Sequence, residues 1–304
     1  MIPELSVTLW PSFPHFNRFA NDKRITGIRL NSAMMSNPEL EKELDLIKTK
    51  PTSNPLFFDV KGRQLRVVEV VPNEYHLELI LNHPVEVKTP CVVLFKAGAD
   101  HAILDRIDSN GYKLIFKGGP RYKVAAGESL HIRDKSLKVG GNQFTPAELT
   151  KIESVKSAGF TKYFLSYVEC KRDVDEFREL VGKDAEVWLK IENIPGMKFV
   201  SEFKKEDNIV LVAARGDLFV ELDQPHHMIQ ALKDIIAKDP MACVGSRILL
   251  SVINDPVPSC ADLLEIAWLH DIGYNRMMLC DELCLKEELL ATAVSVFDGI
   301  KKEL

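Results

Sequence analysis

Short apolar runs rich in β-branched and aromatic residues recur along the chain at 5–9, 25–30 and 56–60, and again at 163–168, 187–191, 209–213, 242–245 and 277–280. Between them lie longer stretches with helical spacing of apolar positions, at 38–48, 146–158, 173–181, 225–237, 261–270 and 286–300. Pro38, Pro146 and Pro225 each stand where a first helical turn is expected, a position whose N–H has no intrahelical partner to lose. Strands that alternate with helices predict a parallel sheet with helical crossovers. Eight such strands in a chain of 304 residues favour an α/β fold of the (β/α)8 TIM barrel type over an open sheet.

Residues 62–140 break this rhythm. Runs at 65–71, 77–81, 90–95 and 112–116 are separated by Pro, Asn and Gly rather than by helical stretches. Asn110-Gly111, between runs at 102–107 and 112–116, is a hairpin signal, because both residues accept the positive φ that tight turns demand. The expected division is therefore a barrel over 1–61 and 141–304, with a small all-β domain over 62–140 inserted after the third barrel strand. An insert at that end of a barrel strand lies on the active-site face and is expected to act as a lid.

Composition narrows the function. The 46% hydrophobic content suffices for a large core, and 39 basic against 44 acidic residues give a net charge of -5, so no basic field exists to draw in nucleic acid or anionic lipid. Six cysteines are scattered, several within apolar runs such as Met241-Ala242-Cys243-Val244, as expected of reduced, buried thiols. Cys280 and Cys284 have a spacing open to metal, but no second pair accompanies them. The N-terminus lacks the basic start and apolar core of a signal peptide, and no run of about 18 apolar residues occurs. A cytoplasmic protein is expected.

Barrel chemistry gathers at the C-terminal ends of the strands. Arg29 and Asn31 close the second predicted strand, Asp59 and Lys61 the third, and Lys190 and Glu192 the fifth; Arg215 and Asp217 follow the sixth, and Ser246 closes the seventh. Glu192 and Asp217, carboxylates on neighbouring strands, suit a hard cation such as magnesium or manganese. Lys190 and Glu192 are two residues apart and share a strand face, which sets a cation beside that metal. Taken singly these features have plainer readings. A Lys-x-Glu pair serves as a solvated ion pair, Arg-Gly-Asp is a common loop tripeptide, and Asn31 and Ser246 work as polar strand caps.

Together the segments resemble one family. Leu189-Lys190-Ile191-Glu192-Asn193-Ile194-Pro195-Gly196 is similar to the signature strand of pyruvate kinases, and Val212-Ala213-Ala214-Arg215-Gly216-Asp217-Leu218 to their metal-binding loop. Arg29-Leu30-Asn31 resembles the second-strand motif, Phe58-Asp59-Val60-Lys61-Gly62 the entry to the lid, and Phe164-Leu165-Ser166-Tyr167-Val168 the fourth strand. The tract from Ser246 through Pro256-Val257-Pro258-Ser259 to Met277-Met278-Leu279-Cys280-Asp281-Glu282 resembles the last two barrel units.

The resemblance implies magnesium-dependent phosphoryl transfer between phosphoenolpyruvate and a nucleoside diphosphate, giving pyruvate. Glu192 and Asp217 would hold Mg2+ or Mn2+, and Lys190 would steady the transferring phosphoryl group. Ala214, Arg215 and Gly216 would face the substrate carboxylate, Ser246 the enolate, and Arg29 the phosphate; Asn31 and Arg66 join the substrate-binding set. Two alternatives stay open: another metal-dependent phosphoenolpyruvate or pyruvate enzyme, such as a lyase or a phosphotransferase with a different acceptor, and a non-catalytic metabolite-binding relative.

Departures from the family pattern shape further expectations. The positions matching its potassium site are Asn31, Ala33, Asp59 and Val60, so half the side-chain oxygens are missing. Arg63 and Gln64 follow Lys61-Gly62, and the fixed charge of Arg63 would replace the monovalent ion, which implies potassium independence. On the nucleotide side Met34 replaces a histidine, Glu169 an arginine, and the glycine-rich ending after Glu282 is absent. Pyruvate enolisation and metal binding are thus expected to be better kept than transfer to ADP. The family's regulatory domain would follow at about residue 300, so sugar-phosphate control is not expected, and a homodimer is expected in place of a tetramer.

Overall fold

The computed structural model describes residues 2–304, apart from the side chain of Met34; the histidine replacement expected there lies outside the described residues. The chain runs β1 (Glu4–Thr8), α1 (Phe16–Phe19), β2 (Gly27–Asn31), α2 (Asn37–Thr49) and β3 (Leu56–Val60) before the insert. The insert comprises β4 (Val67–Val71), β5 (Leu77–Leu81), β6 (Val85–Glu86), β7 (Cys91–Phe95), β8 (Asp100–Asp108), β9 (Lys113–Lys117), β10 (Leu130–Ile132) and β11 (Lys138–Val139). Then come α3 (Pro146–Ser157), β12 (Lys162–Leu165), α4 (Lys171–Val181), β13 (Glu186–Ile191), α5 (Ile194–Glu202), β14 (Ile209–Ala214) and α6 (Arg215–Glu221). The chain closes with α7 (His227–Lys238), β15 (Cys243–Gly245), α8 (Cys260–Asp271), β16 (Arg276–Met278), α9 (Asp281–Cys284) and α10 (Glu287–Ile300).

Eight parallel strands close in the order β1-β16-β15-β14-β13-β12-β3-β2, the expected (β/α)8 barrel. Strand alternation sorts its interior. Phe57, Phe164, Trp188, Val210, Val212, Cys243 and Met278 form one buried cluster. Phe57, Phe164 and Trp188 meet with ring centroids 4.8–5.3 Å apart. Two residues further along the same strand faces stand Asp59, Ser166 and Lys190, because side chains of like parity point to one side. An apolar plug thus fills the lower barrel, and polar groups begin where it ends. Gly27 belongs to the same packing, since a Cβ there would meet Ser6 Oγ at 2.9 Å and the Phe57 ring at 3.2 Å.

The strand ends are fixed by local devices. Asn193 caps α5 by accepting from the Gly196 amide at 2.8 Å, and Ser259 caps α8 by accepting from Asp262. Pro38 and Pro146 do stand in the first turns of α2 and α3, whereas Pro225 lies two residues before α7. A Cβ at Gly196 would lie 2.8 Å from the carbonyl oxygen of Val168, on the loop that follows β12. Gly196→Ala is therefore expected to destabilise the protein by about 1–3 kcal/mol, as overpacking does. A thermal melt checks this, and an unchanged midpoint would show that the loop yields freely.

The second compact unit spans residues 61–149, and the barrel unit spans 1–60 with 150–304. Within the second, a six-stranded antiparallel sheet in the order β10-β7-β8-β9-β5-β4 accompanies a β11-β6 pair. Val93, Phe95, Leu104, Leu114 and Phe116 lie in its buried core. The Asn110-Gly111 turn joins β8 to β9 as expected, with φ of 56° and 95°. Glu148 ties the unit's two chain ends together by accepting from the Lys61 and Gly62 amides, at 3.2 and 3.0 Å, and from Thr145.

Candidate active site

The polar layer above the plug is almost dry. Asp59 is 0% exposed, Glu192 1%, Lys190 6% and Arg29 8%. Lys190 Nζ donates to Ser166 Oγ at 2.9 Å and lies 3.0 Å from Glu192 Oε1 and 3.6 Å from Asp59 Oδ2. Asp59 also accepts from Arg29 Nε at 2.8 Å and from Ser166 Oγ at 3.2 Å. Glu192 Oε2 accepts from the Tyr167 amide at 2.7 Å. Tyr167 has φ of 52°, so the chain after β12 turns through left-handed space to aim that N–H at the carboxylate.

Two carboxylates are crowded here. Burial raises the Glu192 pKa; Lys190 opposes the shift, and Asp217, within hydrogen-bonding reach of Glu192, adds to it. For Lys190 burial works against the ammonium, but Asp59 and Glu192 outweigh it and the pKa is raised. The same balance holds for Arg29, where Asp281 and Asp59 overcome burial.

Of the residues expected at the site, the barrel gathers Arg29, Asn31, Lys190, Glu192 and Asp217 into this cluster. Ala214 ends β14, and Gly216 faces Ser246, whose Oγ would lie 3.4 Å from a Cβ at Gly216. The Arg215 side chain is held structurally: its guanidinium donates to the Ser246 carbonyl at 2.6 and 3.1 Å and pairs with Glu265 at 2.7 Å. Arg66 belongs to the second unit, where it donates to Gln64 at 2.6 and 3.0 Å and to the Gly127 carbonyl. Arg63 donates to the Gly141 carbonyl in that unit at 3.2 Å. Among the described residues no group of three or more His, Cys, Asp or Glu side chains is arranged to hold a metal, Cys280 and Cys284 included. All six cysteines are free thiols; Cys170 and Cys260 are exposed, against the expectation of burial drawn from apolar runs.

Two residues of this layer stand in the motifs named above but receive no role from the sequence. Ser166, in the strand motif after β12, bridges Lys190 and Asp59. Asp281 pairs with Arg29 at 2.8 Å and accepts from Asn31 Nδ2 at 2.6 Å. The parity of β12 could have picked out Ser166, but nothing local marks Asp281, which lies some 250 residues from its partners. No helix among the described residues is long and apolar enough to cross a membrane.

The chain has distant relatives among curated proteins. A pyruvate kinase of Methanocaldococcus jannaschii is 26% identical over 98% of this chain and 68% of its own length. The likeness is to pyruvate kinases. A pyruvate kinase of Borreliella burgdorferi is 24% identical over 88% of the chain and 61% of its own length, and one of Dictyostelium discoideum 25% over 75% and 50%. The similarity is distant but recurrent, and the chain spans between half and about two thirds of the length of these curated pyruvate kinases. No family model matches the chain.

Proposed function

We propose that the barrel is a metal-dependent enzyme acting on pyruvate or phosphoenolpyruvate, in which the enolate of pyruvate is the species the site is built to hold. Transfer of the phosphoryl group to a nucleoside diphosphate is the overall reaction that the pyruvate kinase likeness suggests. The observation that carries the reading is the buried Lys190 ammonium, 3.0 Å from Glu192, with Asp217 crowded against the same carboxylate. A cation stabilises an anionic oxygen as its charge builds up, and the two carboxylates would serve that oxygen through the divalent ion they would hold.

The donor set fits a hard divalent ion. Glu192 and Asp217 offer carboxylate oxygens close enough to compete for one proton, and magnesium ordinarily takes one or two carboxylates and completes its shell with water and substrate. Held there, the ion supplies Lewis-acid polarisation of a carbonyl oxygen. Lys190 places positive charge beside the oxygen that gains electron density when a methyl C–H bond breaks. Ser166 and Asp59 keep the ammonium in place, so little reorganisation accompanies the step. Ser246, facing Gly216, would take up the proton that leaves the methyl group while its hydroxyl proton passes to solvent water, and the electron pair of the broken C–H bond stays in the enolate. The dryness of the layer strengthens each of these interactions.

Solvent-deuterium exchange into the pyruvate methyl group, with magnesium, tests the enolate step; pyruvate release from phosphoenolpyruvate, with several nucleotides and with none, tests phosphoryl transfer. Exchange and release are both expected to be equal in sodium, potassium and tetramethylammonium salts of matched ionic strength. Ala33 and Val60 bring no side-chain oxygen, Asp59 is taken up by Arg29, Lys190 and Ser166, and Asn31 donates to Asp281. A potassium requirement would show that other ligands make a monovalent site. Release only with a non-nucleotide acceptor would assign a different phosphotransferase, and absence of both exchange and release would overturn the reading.

A further inference from the structure

On the outer flank of the barrel, the helices beside β13 do not close over it. α5 finds its main helix neighbour in α7, and a cleft of about 420 Å³ opens between α5 and α4. Its floor is apolar: Val174, Leu189, Phe199, Phe203 and Ile209 line it, and each is at most 8% exposed. The rings of Phe199 and Phe203 meet edge to face with centroids 5.7 Å apart. Close-packed interiors leave few voids larger than a water molecule, whereas small-molecule sites span roughly 300–1,000 Å³, so this cleft has the size of a ligand site.

The rim is charged and only partly satisfied from within. Lys171 pairs with Asp175 and Glu206 at 2.7 and 3.0 Å, Glu206 also pairs with Arg178, and Glu169 accepts from Asn193 Nδ2. Lys198 and Lys204 line the cleft without an ion-pair partner among the described residues, and so does Glu202. Glu202 can answer one of the two ammonium groups. One positive charge is then left over beside the apolar floor, and a lysine stem can lie along that floor while its ammonium stays at the wet edge.

We propose that this cleft is a binding site for a small aromatic monocarboxylate, with its ring against Phe199 and Phe203 and its carboxylate at Lys198 and Lys204. Edge and face contacts with the two phenylalanines hold the ring, and the surplus charge selects an anion over a neutral or cationic ring. None of the residues that line the cleft belongs to the cluster of Lys190, Glu192 and Asp217. The inference therefore stands apart from the function proposed above, and its test does not need that function.

Cys170 gives the site a local reporter. It is exposed and lines the cleft, while Cys260, the other exposed cysteine, lies on α8 and serves as the control. Alkylation of both by iodoacetamide is followed by mass spectrometry, with 3-phenylpropionate as the probe and with 3-phenylpropan-1-ol and acetate as its ring-only and charge-only counterparts. At about ten times its Kd, 3-phenylpropionate is expected to slow labelling of Cys170 by about tenfold and to leave Cys260 unchanged. Half-protection is expected at about fivefold lower concentration for the acid than for the alcohol at low ionic strength, and this ratio should fall to about one in the double variant Lys198→Gln/Lys204→Gln. Both substituted lysines are exposed, so the fold should not suffer. Acetate is expected to give no protection. The site is overturned by equal slowing at Cys170 and Cys260, by no protection from the acid, by protection from acetate, by equal potency of acid and alcohol in wild type, or by an unchanged ratio in the double variant.

Discussion

Lys190→Met is expected to lower turnover by roughly 10²-fold or more in whichever of the two assays shows activity, because a positioned charge acts mainly on the transition state. Lys190 is the only cation within salt-bridge distance of Glu192 among the described residues, and its side chain is 7% exposed, so water cannot readily take its place. Metal affinity should not weaken, since a neighbouring cation opposes a divalent ion. The variant also leaves Glu192 and Asp59 without their shared partner, and removing one member of a buried pair costs about 3–5 kcal/mol of stability. Turnover is therefore measured well below the unfolding midpoint, beside manganese titration. Near-normal turnover in Lys190→Met, with turnover lost in Ser246→Ala, would reverse the roles given to these residues.

Glu192→Gln and Asp217→Asn are expected each to weaken manganese binding by about 100-fold or more, beyond the loss typical of residues that only support a ligand. Neither change removes shape, and each relieves the crowding of two carboxylates that raises the Glu192 pKa, so the fold should persist. In Glu192→Gln the ammonium of Lys190 retains Asp59 at 3.6 Å and the hydroxyl of Ser166. Calorimetry with manganese on both variants, beside their thermal melts, reads the effect. Unchanged affinity in both would remove the metal from Glu192 and Asp217, and with it the Lewis-acid part of the proposed chemistry.

The sequence by itself determined the barrel, the position of the insert in the chain and the strand ends that carry polar groups. Those features are local: period-two alternation along 186–191, continued to Glu192, puts Trp188, Lys190 and Glu192 on one face whatever surrounds the strand, and Asn110-Gly111 makes its turn from its own φ preferences. Local pattern also misled at Pro225, which precedes α7 instead of entering it, and at Cys170 and Cys260, which neighbouring residues leave in solvent. Only the tertiary structure decided what the polar groups do to one another. The neutralising partners of Arg29 come from β3 and α9, Lys190 is shared between carboxylates of β3 and of its own strand, and Arg215 is drawn away to the Ser246 carbonyl and Glu265. Closing the barrel joins β1 to β16 and so carries Asp281 to residues at the other end of the chain. Charge pairing in a dry layer depends on distances of a few ångströms, and no pattern in the order of residues encodes them.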